Sequence, residues 1–260
     1  TSLNLTGGQT IVDGTGSQFA TPATSSIGTA TLTVRNGGSA TLGAVSFGDG
    51  LGTSATINVI GDGSQLTSTG NFSAGRFGRA TINILNGGKI TTTTTASTLI
   101  GGQSATNAQA FVTISGVGSA WDVTNALNAR RGTITITDGG RMTAASAIIG
   151  ANLAGLNAPS FALTVSGAGS RFEVGTLTIA NAAANGTTGM LTIADGGTVA
   201  VGGGTGTLAM GLGASTLNIG AGAGAGTLDA SLVTTSATST INFNHTGTGY
   251  DFAAAISGAG

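Results

Sequence analysis

The chain has no cysteine, one histidine, one tryptophan, one tyrosine and two prolines in 260 residues. Without cysteine there is no disulfide framework, no thiolate metal site and no cysteine nucleophile. A lone histidine then excludes a zinc site built from His and Cys ligands, and no other metal or cofactor motif takes its place. Charge is scarce too: 8 basic and 9 acidic residues amount to 7% of the chain and leave a net charge of -1. That balance excludes an electrostatic nucleic-acid binder, which needs a basic stripe to displace counterions from phosphates. No apolar run reaches the ~18 residues of a membrane-spanning helix, so this segment is not expected to insert into a membrane. The opening residues, Thr1-Ser2-Leu3-Asn4, lack the pattern of a signal peptide, so any export signal has been removed or was never part of this chain.

What the chain does have is glycine, 48 residues of it, and a 40% hydrophobic content that argues against disorder. One glycine recurs throughout, as Gly16, Gly38, Gly63, Gly88, Gly118, Gly140, Gly169, Gly197, Gly222 and Gly247. The spacings are 22, 25, 25, 30, 22, 29, 28, 25 and 25, a period of about 26 residues in the range of solenoids. Ahead of each glycine, apolar residues occupy alternate positions, as in Leu32 and Val34, Ile57 and Val59, or Ile134 and Ile136. Thr or Asn stands between them, which is the pattern of a half-buried strand.

The turns come in two alternating forms. Even copies read Asn/Asp-Gly-Gly, as at Asn86-Gly87-Gly88, and odd copies read Gly-x-Gly-Ser, as at Gly116-Val117-Gly118-Ser119. Sharp corners of this kind need positive φ, which Gly, Asn and Asp adopt at least cost. Bulky residues follow the odd glycines (Phe19, Leu66, Trp121, Phe172) and more flexible or smaller ones the even (Ile90, Met142, Val199). Two further apolar patches complete each period. The expected fold is all-β: a parallel β-helix of about ten coils of roughly 25 residues, each with three short strands, forming one solenoid domain over 1–260. At about 4.8 Å per coil the rod would be on the order of 48 Å long. Glycine at this frequency excludes helical alternatives.

The copy Gly116-Val117-Gly118-Ser119-Ala120-Trp121, followed by Thr133-Ile134-Thr135-Ile136-Thr137-Asp138-Gly139-Gly140, resembles the repeat of autotransporter (type V secretion) passenger regions. It is similar also to that of some PEP-CTERM exported proteins of Gram-negative bacteria. The resemblance covers about residues 9 to 247. It implies a secreted or surface-displayed β-helix, commonly an adhesin or biofilm component, located outside the cell or on the bacterial surface. It transfers no catalytic residues, because the motif residues are structural. The chain departs from a full autotransporter in carrying no C-terminal membrane barrel.

Chemistry is thin. Polysaccharide-active β-helices need carboxylates converging on a groove. Here Asp138 and Asp195 read as turn formers, and Asp122 and Glu173 as solvated strand positions with a contact role second. His245 takes a corner position, and Trp121 reads as core rather than as a stacking platform. Arginine alone exceeds background: Arg76 and Arg79 fall at the third corner of coil 3, Arg130 and Arg131 at that of coil 5. They read as solvated corners or, more sharply, as a contact for an anionic glycan or lipopolysaccharide, since the guanidinium binds carboxylate and phosphate bidentately. The longest coils gain their extra residues nearby, at 101–110, 150–160 and 181–189.

The expected function is a non-enzymatic structural or adhesive β-helix that contacts other cells or surface glycans. Two alternatives stay open. One is a fibre subunit that self-associates end to end or side by side, because neither end carries an evident polar cap. The other is a polysaccharide-active enzyme.

Overall fold

The computed structural model describes residues 3–103, 108–153 and 158–259. It is a parallel β-solenoid of about ten turns, as the period predicts. The first face is a ten-stranded sheet running from Gln9–Asp13 through Thr31–Arg35, Ser54–Ile60 and Arg79–Leu85 to Ser239–Phe243. A seventeen-stranded sheet carries the second and third faces. Strand pairings among the described residues are parallel, apart from one isolated antiparallel bridge between Ala194 and Ala225.

Strict register turns the alternating pattern into ladders. On the first face Ile57, Ile82, Val112 and Ile134 stack in line, and beside them Val59, Ile84, Ile114 and Ile136. All eight are fully buried or within 1% of it, each contributing about 1.5–3 kcal/mol by leaving water. On the second face the ladder runs Phe19, Ala40, Leu66, Ile90, Trp121, Met142, Phe172, Val199, Leu228. The alternation of bulky and slimmer residues read from the sequence is thus an interior column in which unequal side chains fill a shaft of constant width. Trp121 lies in it, wholly buried, edge-on to Phe72 at 5.4 Å.

The recurrent glycines serve two different purposes. At odd corners Gly16, Gly63, Gly118, Gly169 and Gly222 have φ between +77° and +91°, the left-handed region that a side chain disfavours. At even corners the left-handed residues are the two before, for example Asn86 (φ +52°) and Gly87 (φ +91°). Gly38, Gly88, Gly140 and Gly197 are needed for space instead. A β-carbon there would fall 2.6, 2.2, 2.5 and 2.5 Å from the carbonyl oxygens of Val12, Val59, Ile114 and Val165 in the coil before. Gly247 shows neither feature, with only His245 Nδ1 at 3.4 Å, so the motif has lapsed by coil 10.

The odd-corner serine joins the two corner types. Ser119 Oγ donates to the Ser115 carbonyl (2.7 Å) and accepts the Gly87 N–H of the coil before (3.0 Å). Ser64 and Ser170 accept the Gly37 and Gly139 N–H groups in the same way, each at 3.1 Å. These three serines are at most 1% exposed, and leaving the buried Gly87 amide unpaired would cost about 1–3 kcal/mol.

The strand count differs from expectation in coils 5 to 7. There the second and third strands run on as Ala120–Ala129, Arg141–Ile149 and Arg171–Ile179. The second corner has shrunk to one or two residues: Thr124 and Asn125 in coil 5 face the single Ala145 in coil 6. A corner that short bends the pairing without breaking it, as a bulge does.

Candidate ligand-binding surfaces

Of the long corner segments, residues 104–107 and 154–157 lie outside the described residues. The third, after coil 7, folds into a single 3-10 turn at Ala184–Gly186. The four arginines flank this third corner on two surfaces. Arg76 lies on the side of the third face, where its Nε donates to Gln103 Oε1 (3.0 Å) and its Nη1 to Asp49 Oδ1 (3.1 Å). Asp49 also accepts the Ser26 hydroxyl (2.9 Å), so the corners of three coils are tied together through one ion pair.

Arg79 is exposed and opens the first-face strand of coil 4, stacked 4.9 Å over the Phe111 ring. It pairs in register with Gln109, and Gln109 lines both the depression beside Arg79 and that beside Arg131, Phe111 and Ser160. Arg131 itself is only 8% exposed. Arg130 is half-buried, with its Nη1 reaching the Gly102 carbonyl at 3.4 Å and its Nε buried without a partner. Burial pushes both guanidiniums below the ordinary arginine pKa. Arg76 and Arg130 therefore reach across to adjoining coils, Arg131 is nearly buried, and Arg79 is the exposed one of the four.

Of a second charged cluster the sequence reading found only the carboxylates Asp122 and Glu173, and its basic column escaped. On the outer side of the second face Lys89, Ala120, Arg141 and Arg171 occupy one ladder position in coils 4 to 7. Beside it run Thr91, Asp122, Thr143 and Glu173. The odd-corner serine hides the alignment, because it sets Arg171 two residues after its glycine while Lys89 and Arg141 stand one after theirs. Aligning copies on the strand rather than on the glycine would have shown it. Asp122 accepts the Thr143 hydroxyl at 2.8 Å. Glu173 holds Arg141 (2.5 Å) and Arg171 at once. Together with Lys89 and Asp122 the cluster has a formal net charge of +1, and Lys89, Asp122, Arg141 and Arg171 line a surface depression of about 340 Å³.

Burial by itself would raise the Glu173 carboxyl, but the bonds and charges of Arg141 and Arg171 outweigh it and hold the pKa below the usual 4.5. A carboxyl held below its unfolded value stabilises the fold fully above that value, and the effect is lost as pH falls through the lower folded value. In an NMR titration Glu173 is expected to have its midpoint below 4.5, moving up in Arg141→Gln/Arg171→Gln; a midpoint unmoved by that change would show the arginines to be irrelevant.

Among the described residues no group of three or more His, Cys, Asp or Glu side chains is placed to hold a metal ion. No described helix is long and apolar enough to cross a membrane. Trp121 is sealed in the core, and His245 packs 4.8 Å from Tyr250.

No protein-family profile matches the chain, and no solved structure does. Among curated proteins, 78 residues are 56% identical to the Adhesin BmaC autotransporter of Brucella suis biovar 1 (strain 1330). The matched stretch is 30% of this chain and 2% of that relative. The chain is thus a parallel β-helix, consistent with an autotransporter passenger, that over 78 residues resembles an autotransporter adhesin in sequence.

Proposed function

We propose that the chain is a non-enzymatic segment of an exported passenger, secreted or displayed on the bacterial surface, which mediates contact with other cells or surface glycans. Residues 1–260 act as one solenoid domain. The likeness to an adhesin carries this reading. The third corner supports it, since the coil-length additions and all four arginines gather there, and insertions in solenoids map to loops that often form the binding face.

Within that reading Arg79 is the leading contact for an anionic glycan or lipopolysaccharide. Arg130 and Arg131 complete the basic edge, while Arg76, paired with Asp49, shapes the corner beside it. The test is adhesion of beads coated with the purified chain to surfaces bearing acidic glycans. Arg79→Ser, an exposed change that leaves the fold intact, is expected to reduce retention several-fold, and replacing all four arginines by Ser to abolish it. Unchanged retention in both, with native circular dichroism, would overturn the arginine assignment.

A further inference from the structure

The third face of coils 1 to 4 carries a depression lined at the second corner by Asn71 and Ser97 and at the third corner by Arg76 and Gln103. The floor is Ser46, Ser73 and Leu99, which stand in one outward column of the ladder. The depression measures about 360 Å³, within the size range of small-molecule sites. Four coils span about 14 Å along the axis at 4.8 Å per spacing.

Three features of this trough select a ligand. The first is charge. Among the described residues Arg76 is the only charged one that lines it, and Asp49 pairs with that charge, so the site offers no net attraction to an anion. The second is donor count. After its bonds to Gln103 and Asp49 the Arg76 guanidinium still presents its Nη2. Gln103 spends its carbonyl on Arg76, and Asn71 spends its carbonyl on the Thr94 hydroxyl (3.3 Å), so both amide NH₂ groups remain. The third is the floor, where small hydroxyls beside one leucine leave room for a flat ring and give its C–H face an apolar seat.

We infer that this trough binds a short stretch of an uncharged glycan, with Arg76, Gln103 and Asn71 donating to sugar hydroxyl oxygens and Leu99 beneath the ring. The inference deepens the adhesive reading and rests on it for biological sense, but the site is separate from Arg79 on the far side of the corner.

The experiment is backbone NMR of the intact chain titrated with a panel of neutral gluco-, manno-, galacto- and N-acetylglucosamine oligosaccharides, and with oligogalacturonate as the acidic counterpart. At least one neutral sugar is expected to shift the amides of Ser46, Ser73, Leu99 and Gln103, with little dependence on salt. Ser46→Leu fills the floor and is expected to abolish those shifts. Gln103→Ala removes one donor and is expected to weaken binding about tenfold. Silence from every neutral sugar, shifts confined to other faces, or a response to oligogalacturonate alone would overturn the inference. Bead adhesion separates the two readings. Retention lost in Arg79→Ser with a silent neutral panel leaves the adhesin standing without this site, whereas neutral-sugar shifts without adhesion leave the site standing alone.

Discussion

Gly88→Ala is expected to destabilise the solenoid by about 3 kcal/mol, the upper end of the cost of overpacking a close-packed interior. Its φ is ordinary, so conformational preference contributes little. The cost arises because the new β-carbon would sit 2.2 Å from the Val59 carbonyl oxygen. That oxygen belongs to the backbone of a central ladder and cannot swing aside as a side chain would. Gly16→Ala is the control. It puts a side chain at φ +86° with nothing within 4 Å, and is expected to cost on the order of 1 kcal/mol, the strain of the left-handed region alone. Denaturant midpoints followed by circular dichroism measure both. Equal losses would mean that the even-corner glycines are turn formers like the odd ones and that the tight coil contact is immaterial.

Trp121→Ala carries the other large effect, about 3–5 kcal/mol. The indole is wholly buried, lies in register between Ile90 and Met142, and meets Phe72, which in turn meets Phe47 at 5.4 Å. Coils above and below are pinned by backbone bonds, so the shaft cannot close around the void. Trp121→Phe makes a sharper companion. The indole Nε1 is buried without a hydrogen-bond partner, so phenylalanine gives up volume but no bond, and its cost is expected to be about half that of alanine or less, roughly 1–2 kcal/mol. A phenylalanine variant as unstable as the alanine one would show that the nitrogen is held by an interaction the packing does not reveal. As the chain's one tryptophan, Trp121 is also expected to emit at the short wavelengths of a dry environment, shifting on unfolding.

The parts of the fold legible in the sequence are those set by short-range chemistry repeated many times. Period two before each corner and glycine within it are enough to place Leu32, Ile57 and Ile82 in one ladder. Most of the second-face column, Phe19 to Val199 without Ala40, was legible for the same reason, as the bulk of its residues alternates in step with the turn type; Leu228, six residues after Gly222, was not. Less legible was anything decided by register across corners of unequal length. Arg76 finds Asp49 and Gln103 each 27 positions away, and only the exact number of residues in three successive corners brings them together. The Lys89–Arg141–Arg171 column was masked by one inserted serine. The fusion of strands in coils 5 to 7 depends on corner residues such as Thr124 and Ala145 that carry no turn signal at all.

The serine clasp has a bearing on how such a rod changes size. The hydroxyls of Ser64, Ser119 and Ser170 each reach for a glycine amide in the even corner before, so in these coils the two corner types are not interchangeable neighbours. Removing or duplicating one winding sets like against like, leaving an amide without its hydroxyl and a hydroxyl without its amide. Removing or duplicating two restores every clasp. Viable longer and shorter versions then differ by pairs of windings, in steps near the 55 and 51 residues that separate Gly63, Gly118 and Gly169.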